Sequence, residues 1–160
     1  MANRGACYGI AAAVQCKLAN KRDQELEQDI LAWMSEILGE RLPQGEFGEI
    51  LRDGVVLCKL MNRLKPGAIP KINASGAPFK MMENIENFIK SAERYGVPKI
   101  DLFQTVDLWE KRNIPSVVQC IMAVGRCGYL HPDFHGPFLG PRPSEDYRRE
   151  FNEQMLGTSF

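Results

Sequence analysis

The 160-residue sequence lacks the motifs that identify most enzymes. It contains no GxxxxGK[ST] loop for phosphate, no GxGxxG after a strand, no GxSxG elbow and no HExxH. Its only histidines are His131 and His135, and Pro132 interrupts the helix that would bring them to one metal ion. These absences predict a non-catalytic protein that holds no metal and needs no cofactor.

The sequence also lacks a net charge, a cysteine framework and a long apolar run. Lys plus Arg and Asp plus Glu both number 20, so no overall field attracts nucleic acid or anionic lipid. Five cysteines at irregular spacings, with no CxxC pair, predict reduced thiols. The uncharged run from Gly5 to Cys16 is too short to span a bilayer and is a poor signal peptide. We therefore expect a cytoplasmic protein that inserts into no membrane and binds no nucleic acid.

The charges that are present fall in blocks. Residues 1–22 carry four bases and no acid, residues 23–40 carry six acids and no base, and residues 61–80 again carry four bases and no acid. The simplest interpretation of the acidic block is a solvated helix face, with acids near the N-terminus where the helix dipole favours them.

Apolar residues recur at offsets of three and four in four segments, which predicts helices. The segments are about 23–38, 55–64, 82–95 and 115–125. Shorter helices are expected near 10–20 and 145–156, and Pro and Gly predict loops at 43–48 and 66–79. Because no segment shows strand alternation, the predicted fold class is all-α.

Several side chains are predicted to be core residues. Trp33 and Trp109 both lie on apolar helical stripes, and Cys120 and Cys127 are a heptad apart on the last predicted helix. A Cys/His nucleophile pair would need only proximity in space, but both histidines lie in the Pro/Gly-rich segment, away from the helical scaffold. Buried packing is therefore the preferred interpretation of the cysteines.

Three motifs, in order along the chain, carry a resemblance to a known family. The string DGVVLCKLMN at residues 53–62 resembles the central-helix motif of calponin-homology domains. FKMMENIENF at 79–88 looks like the family's F-K-x-x-E-N-I-x-x-F helix, and FQTVDLWE at 103–110 matches the turn before its last helix. The start MANRG and the string HGPFLGP at 135–141 are similar to the transgelin, calponin and invertebrate muscle-protein group.

This resemblance implies an organisation in three parts. It places a single calponin-homology helical bundle at residues 23–128, after an N-terminal segment at 1–22 with a short helix. An irregular Pro/Gly-rich arm follows at 129–160. After REF at 149–151 the sequence does not match the calponin-like repeat I-G-L-Q-M-G-x-N-K-G-A.

The resemblance also implies a function, namely binding or bundling actin filaments in muscle or the cytoskeleton, without a cofactor. Because the family's repeat is credited with much of the filament binding, we expect this domain alone to bind actin weakly. The alternative is a signalling adaptor that presents a single calponin-homology domain to a kinase or another cytoskeletal protein.

Candidate actin-binding residues are basic, because the expected contact is electrostatic with an acidic filament surface. Related actin-binding domains use their first and last core helices, which correspond here to residues 27–38 and 111–126. The candidates are Lys17, Lys21, Arg22, Lys111, Arg112, Arg126, Arg148 and Arg149. For each of them the alternative is an ordinary solvated surface charge.

Overall fold

The computed structural model describes residues 24–140. In that range α1 covers residues 24–38. It is followed by α2 (Phe47–Leu51), α3 (Val55–Leu64), α4 (Pro78–Tyr95), α5 (Thr105–Trp109) and α6 (Ile114–Gly128), with a 3-10 turn at Lys99–Asp101. Residues 24–140 contain no strand, and the all-α prediction is confirmed. The short helices expected at 10–20 and 145–156 lie outside the described residues.

The core surrounds α3, which is buried on more than one side. Leu57, Leu60 and Met61 of α3 are fully enclosed, together with Ile85 and Phe88 of α4. Fully burying one such side chain contributes about 1.5 to 3 kcal/mol. Packing of α3 against α4 is therefore a large source of stability in this fold.

Gly54 determines where α3 begins. Its φ of 73° lies in the left-handed region, and a Cβ at this position would lie 2.7 Å from the Cβ of Asn84. Only glycine fits both the conformation and the space. The Oδ1 atom of Asp53 accepts a hydrogen bond from the Val55 amide at 3.1 Å.

Asn84 on α4 is completely buried and joins three segments. Its Oδ1 accepts a hydrogen bond from the Asn73 amide at 2.9 Å. Its Nδ2 donates to the carbonyls of Asp53 at 2.9 Å and Asn73 at 2.7 Å. The predicted apolar stripe began at Met82, but the structure places Met81 and Asn84 inside and Met82 only partly so. An apolar pattern could not identify Asn84 as interior, because it is polar. Its hydrogen bonds to Asn73 and Asp53 compensate for its burial.

Two predicted loop positions proved to be helical. Gly48, expected in a loop, lies within α2. A Cβ there would lie 3.1 Å from Cδ1 of Ile114, so glycine permits the close approach of α6. Pro78, expected at the end of a loop, lies in the first turn of α4, where its missing N–H is tolerated.

Residues 129–140 form no helix or strand, but some of their side chains pack against the helices. Leu139 is 5% exposed and covers Gly125 of α6, where a Cβ would approach it to 2.8 Å. The Trp33 indole Nε1 donates a hydrogen bond to the Pro137 carbonyl at 2.8 Å. This segment therefore closes the bundle over α1 and α6.

Of the predicted core residues, Trp33 and the two cysteines are buried. Burial raises the pKa of the Cys120 thiol to about 12, which leaves it an unreactive packing group. The prediction for Trp109 was wrong, since this ring is only partly buried. The Arg52 guanidinium lies over it at 4.1 Å, and the Nε of Arg52 donates to the Trp109 carbonyl at 2.9 Å.

Candidate functional site

The predicted actin-binding residues divide by position. Lys17, Lys21, Arg22, Arg148 and Arg149 lie outside the described residues. Lys111 and Arg112 lie in the connection between α5 and α6, and Arg126 lies in the last turn of α6. We group these three residues under the name α5–α6 corner, although Arg126 lies about 18 Å along α6 from its first residue, Ile114.

Lys111 is held by contacts inside the protein. Its φ of 54° is in the left-handed region, which is uncommon for a residue with a side chain. Its stem lies over Gly48, and its ammonium pairs with Glu49 and, at 3.6 Å, with Glu46. The hydrogen bond from Lys111 lowers the pKa of Glu49, and the same bond raises the pKa of Lys111. Both shifts favour the charged pair.

Arg112 and Arg126 also have acidic neighbours. The Nε of Arg112 lies 2.8 Å from Oε2 of Glu110, although the arginine side chain is 70% exposed. A terminal nitrogen of Arg126 lies 3.8 Å from Oδ2 of Asp101. The other carboxylate oxygen of Asp101 accepts a hydrogen bond from Gln119 at 2.7 Å. Arg126 thus helps to fasten the 3-10 turn to α6.

Each base of the α5–α6 corner therefore lies within ion-pair distance of at least one acid. Such a surface presents little net positive charge to a partner. Sequence reasoning missed the acids of Lys111 because Glu46 and Glu49 are distant along the chain. Only Glu110, two residues before Arg112, could have been recognised from the sequence.

The other expected contact region, α1, is acidic and not basic. Residues 24–38 contain no Lys or Arg, and Glu25, Asp29 and Glu36 are exposed along the helix. A cleft of about 430 Å³ separates α1 from the segment at 138–140 and includes Trp33 and Phe138. Any contribution of α1 to filament binding would thus come from acidic and apolar groups.

A third surface carries bases that form no ion pair within the described residues. Within residues 24–140, no carboxylate lies within ion-pair distance of Lys65, Lys71 or Arg94. Lys65 and Lys71 belong to the basic block at 61–80, none of whose residues is among the predicted actin-binding candidates. The described residues include no group of His, Cys, Asp and Glu that could hold a metal ion. They also include no helix long and apolar enough to cross a membrane.

Comparison with known proteins is consistent with this architecture. Residues 24–129 match the family model of the calponin homology (CH) domain. The chain is 50% identical over 148 residues to Muscle-specific protein 20 of Drosophila melanogaster, covering 92% of this chain and 80% of that protein. It is 47% identical over 150 residues to Myophilin of Echinococcus granulosus, covering 92% and 79%.

Solved structures show the same fold. The calponin-homology domain of an IQGAP protein from Schizosaccharomyces pombe matches with a TM-score of 0.59 at 26% identity, covering 82% of this chain and 86% of that one. Vav1, in a structure with an allosteric inhibitor, matches with the same score and identity, but the match covers only 26% of its chain.

Calponin- and transgelin-type proteins with this domain are structural and not enzymes, and the same holds here. The central-helix motif, the buried Asn84 and the family match over residues 24–129 together establish that this chain belongs to the calponin-homology family.

Proposed function

We propose that this protein binds actin filaments, and that this domain alone binds them weakly. The observation that carries the proposal is the match over 92% of the chain to Muscle-specific protein 20. Family membership and the muscle relatives support an actin-associated cytoskeletal role in general. Direct binding to actin filaments goes beyond this general role, and it is what we propose.

The expected weakness follows from the α5–α6 corner. Exposed ion pairs are each worth only about 0 to 1 kcal/mol, and a micromolar complex requires about −8 kcal/mol. Lys111, Arg112 and Arg126 must also exchange an existing acid neighbour for one on actin. The bases at 17–22 and 148–149 would then have to supply much of the attraction.

Co-sedimentation with actin filaments across a salt series tests the proposal. We expect binding at about 25 mM salt that is mostly lost near about 150 mM, because salt screens exposed charges. Reversal of Arg148 and Arg149 to Glu should abolish the remaining binding, whereas Lys90→Gln should change it little. Lys90 is a suitable control because it is exposed on α4 and pairs with Glu86 at 3.1 Å.

Two results would contradict this proposal. Tight co-sedimentation at physiological salt that survives the reversal of Arg148 and Arg149 would place the actin site on the helical domain. Absence of binding even at low salt would favour the alternative, an adaptor that presents the domain to a kinase or another cytoskeletal protein. An adaptor contact through a mixed or apolar patch should change little with salt.

A further inference from the structure

A groove runs between α4 and the loop that follows α3. It consists of two adjoining cavities of about 200 Å³ and about 240 Å³, which share Ala68 and Arg94. Lys65 lines the first cavity, and Lys71 with Glu83 lines the second. We call this feature the α4 groove.

The loop wall of the α4 groove is fixed by the α3 side chain Asn62. Its Oδ1 accepts a hydrogen bond from the Ile69 amide at 2.7 Å, and its Nδ2 donates to the Ile69 carbonyl at 3.0 Å. The Ile69 side chain is itself buried in the core. The groove is therefore preformed, which lowers the entropic cost of binding a ligand there.

Positive charge dominates this groove. Lys65, Lys71 and Arg94 are exposed, and Glu83 is the one acid among its lining residues. Within residues 24–140 none of these three bases has a carboxylate at ion-pair distance. Each base of the α5–α6 corner has an acidic neighbour, so the α4 groove presents the stronger local attraction for an anion.

The shape of the groove favours an extended ligand over a single compact anion. Glu83, Asn87 and Arg94 are spaced by four and seven residues, which places them along one side of α4. From Glu83 to Arg94 a helix rises about 16 Å, at 1.5 Å per residue. An extended peptide covers that length with about five residues.

We propose that the α4 groove binds an acidic peptide segment of a partner protein, with its carboxylates on Lys65, Lys71 and Arg94. Glu83 would disfavour acidic residues at its end of the groove and so help to set the register of the peptide. This proposal does not depend on actin binding, since none of these residues belongs to the predicted filament contacts.

Fluorescence anisotropy with a labelled hexaglutamate peptide and the full chain tests the proposal at low salt. The double variant Lys65→Gln/Lys71→Gln should weaken binding on the order of tenfold, because each exposed charge pair contributes up to about fivefold. The matched control Lys80→Gln/Lys99→Gln removes the same charge from exposed lysines outside the groove and should change the Kd less than about twofold. Glu83→Gln should strengthen binding by removing the opposing carboxylate. A labelled hexaglutamine peptide should not bind.

Three other outcomes would each overturn the proposal. Equal losses in the two double variants would mean that the peptide follows diffuse charge and not this groove. Binding of inositol hexakisphosphate or of vesicles containing phosphatidylinositol bisphosphate, without binding of hexaglutamate, would assign the groove to a phosphate ligand or a membrane. The absence of peptide binding to the parent chain would also overturn it. Thermal melting of every variant verifies folding, which these exposed substitutions should preserve.

Discussion

The α5–α6 corner and the α4 groove both present three basic residues, but they differ in what surrounds those residues. Lys111, Arg112 and Arg126 have acids within 4.0 Å in the folded chain. Lys65 and Lys71 have none within residues 24–140. The comparison shows that the number of bases on a surface does not measure its attraction for an acidic partner. The acids that the fold brings to them decide how much charge remains available.

The two regions differ in which protonation state their surroundings favour for a titratable side chain. In the α5–α6 corner, Glu49 and Lys111 each shift the pKa of the other toward the charged form. Beside the α4 groove, burial lowers the pKa of His131 and the charge of Lys65 lowers it further, while the hydrogen bond to the Tyr95 carbonyl and the Asp133 carboxylate raise it. The first region is charge-compensated, and the second has an excess of positive charge.

The largest expected effect comes from breaking the scaffold that both regions share. Trp33→Ala should lower the free energy of unfolding by about 3 to 5 kcal/mol, because it leaves a cavity in the core. It also removes the hydrogen bond from Nε1 to the Pro137 carbonyl. Urea denaturation measures this loss. Trp109→Ala should cost clearly less, since this ring is only partly buried. Equal losses for both tryptophans, or a Trp33→Ala melting temperature close to the parent, would contradict the assigned burial.

A smaller effect should separate the α4 groove from the α5–α6 corner. Asn62→Ala removes both hydrogen bonds to Ile69, which leaves the partly buried Ile69 amide and carbonyl without partners. This should lower the free energy of unfolding by about 1 to 3 kcal/mol. The freed loop should then weaken hexaglutamate binding as measured by anisotropy. Lys111→Gln is the control, because it perturbs the corner and should leave peptide binding unchanged. Unaltered peptide binding by a folded Asn62→Ala variant would show that a fixed loop is not required.

The sequence predicted the parts of this molecule that depend on local periodicity. The helical offsets identified α1, α3, α4 and α6. The short helix α2 was missed because it has five residues with a glycine among them, and its helicity comes from packing.

Predictions failed where residues distant in sequence decide the outcome. The surroundings of Trp109 include Arg52, 57 positions earlier, whose guanidinium lies over the ring. The interior position of Asn84 depends on backbone groups of Asp53 and Asn73. The availability of the candidate bases depends in the same way on acids such as Glu46 and Glu49, which no local pattern connects to Lys111.

The smallest predicted effect tests the excess charge beside the α4 groove through His131. This ring stacks on Tyr95 with centroids 4.0 Å apart, and its Nε2 donates to the Tyr95 carbonyl at 2.6 Å. Burial lowers the pKa of His131, and Lys65 lowers it further, while the hydrogen bond and Asp133 act in the opposite direction. We therefore expect the folded chain to titrate His131 below its ordinary value near 6.5.

The unfolded chain then binds more protons than the folded chain in mildly acidic solution. The stabilisation from neutral His131 is fully present above about pH 6.5 and is lost as the pH falls through the folded pKa. An NMR titration of the His131 ring proton measures that pKa, with His135→Gln removing the second histidine signal. Lys65→Gln should raise the His131 pKa slightly, whereas Lys111→Gln should leave it unchanged, because Lys65 is among the groups that shift this pKa and Lys111 is not. If the His131 pKa is the same in Lys65→Gln and in the parent chain, the charge of Lys65 is already compensated by a nearby acid. The α4 groove would then resemble the α5–α6 corner, and its advantage as a site for an acidic peptide would disappear.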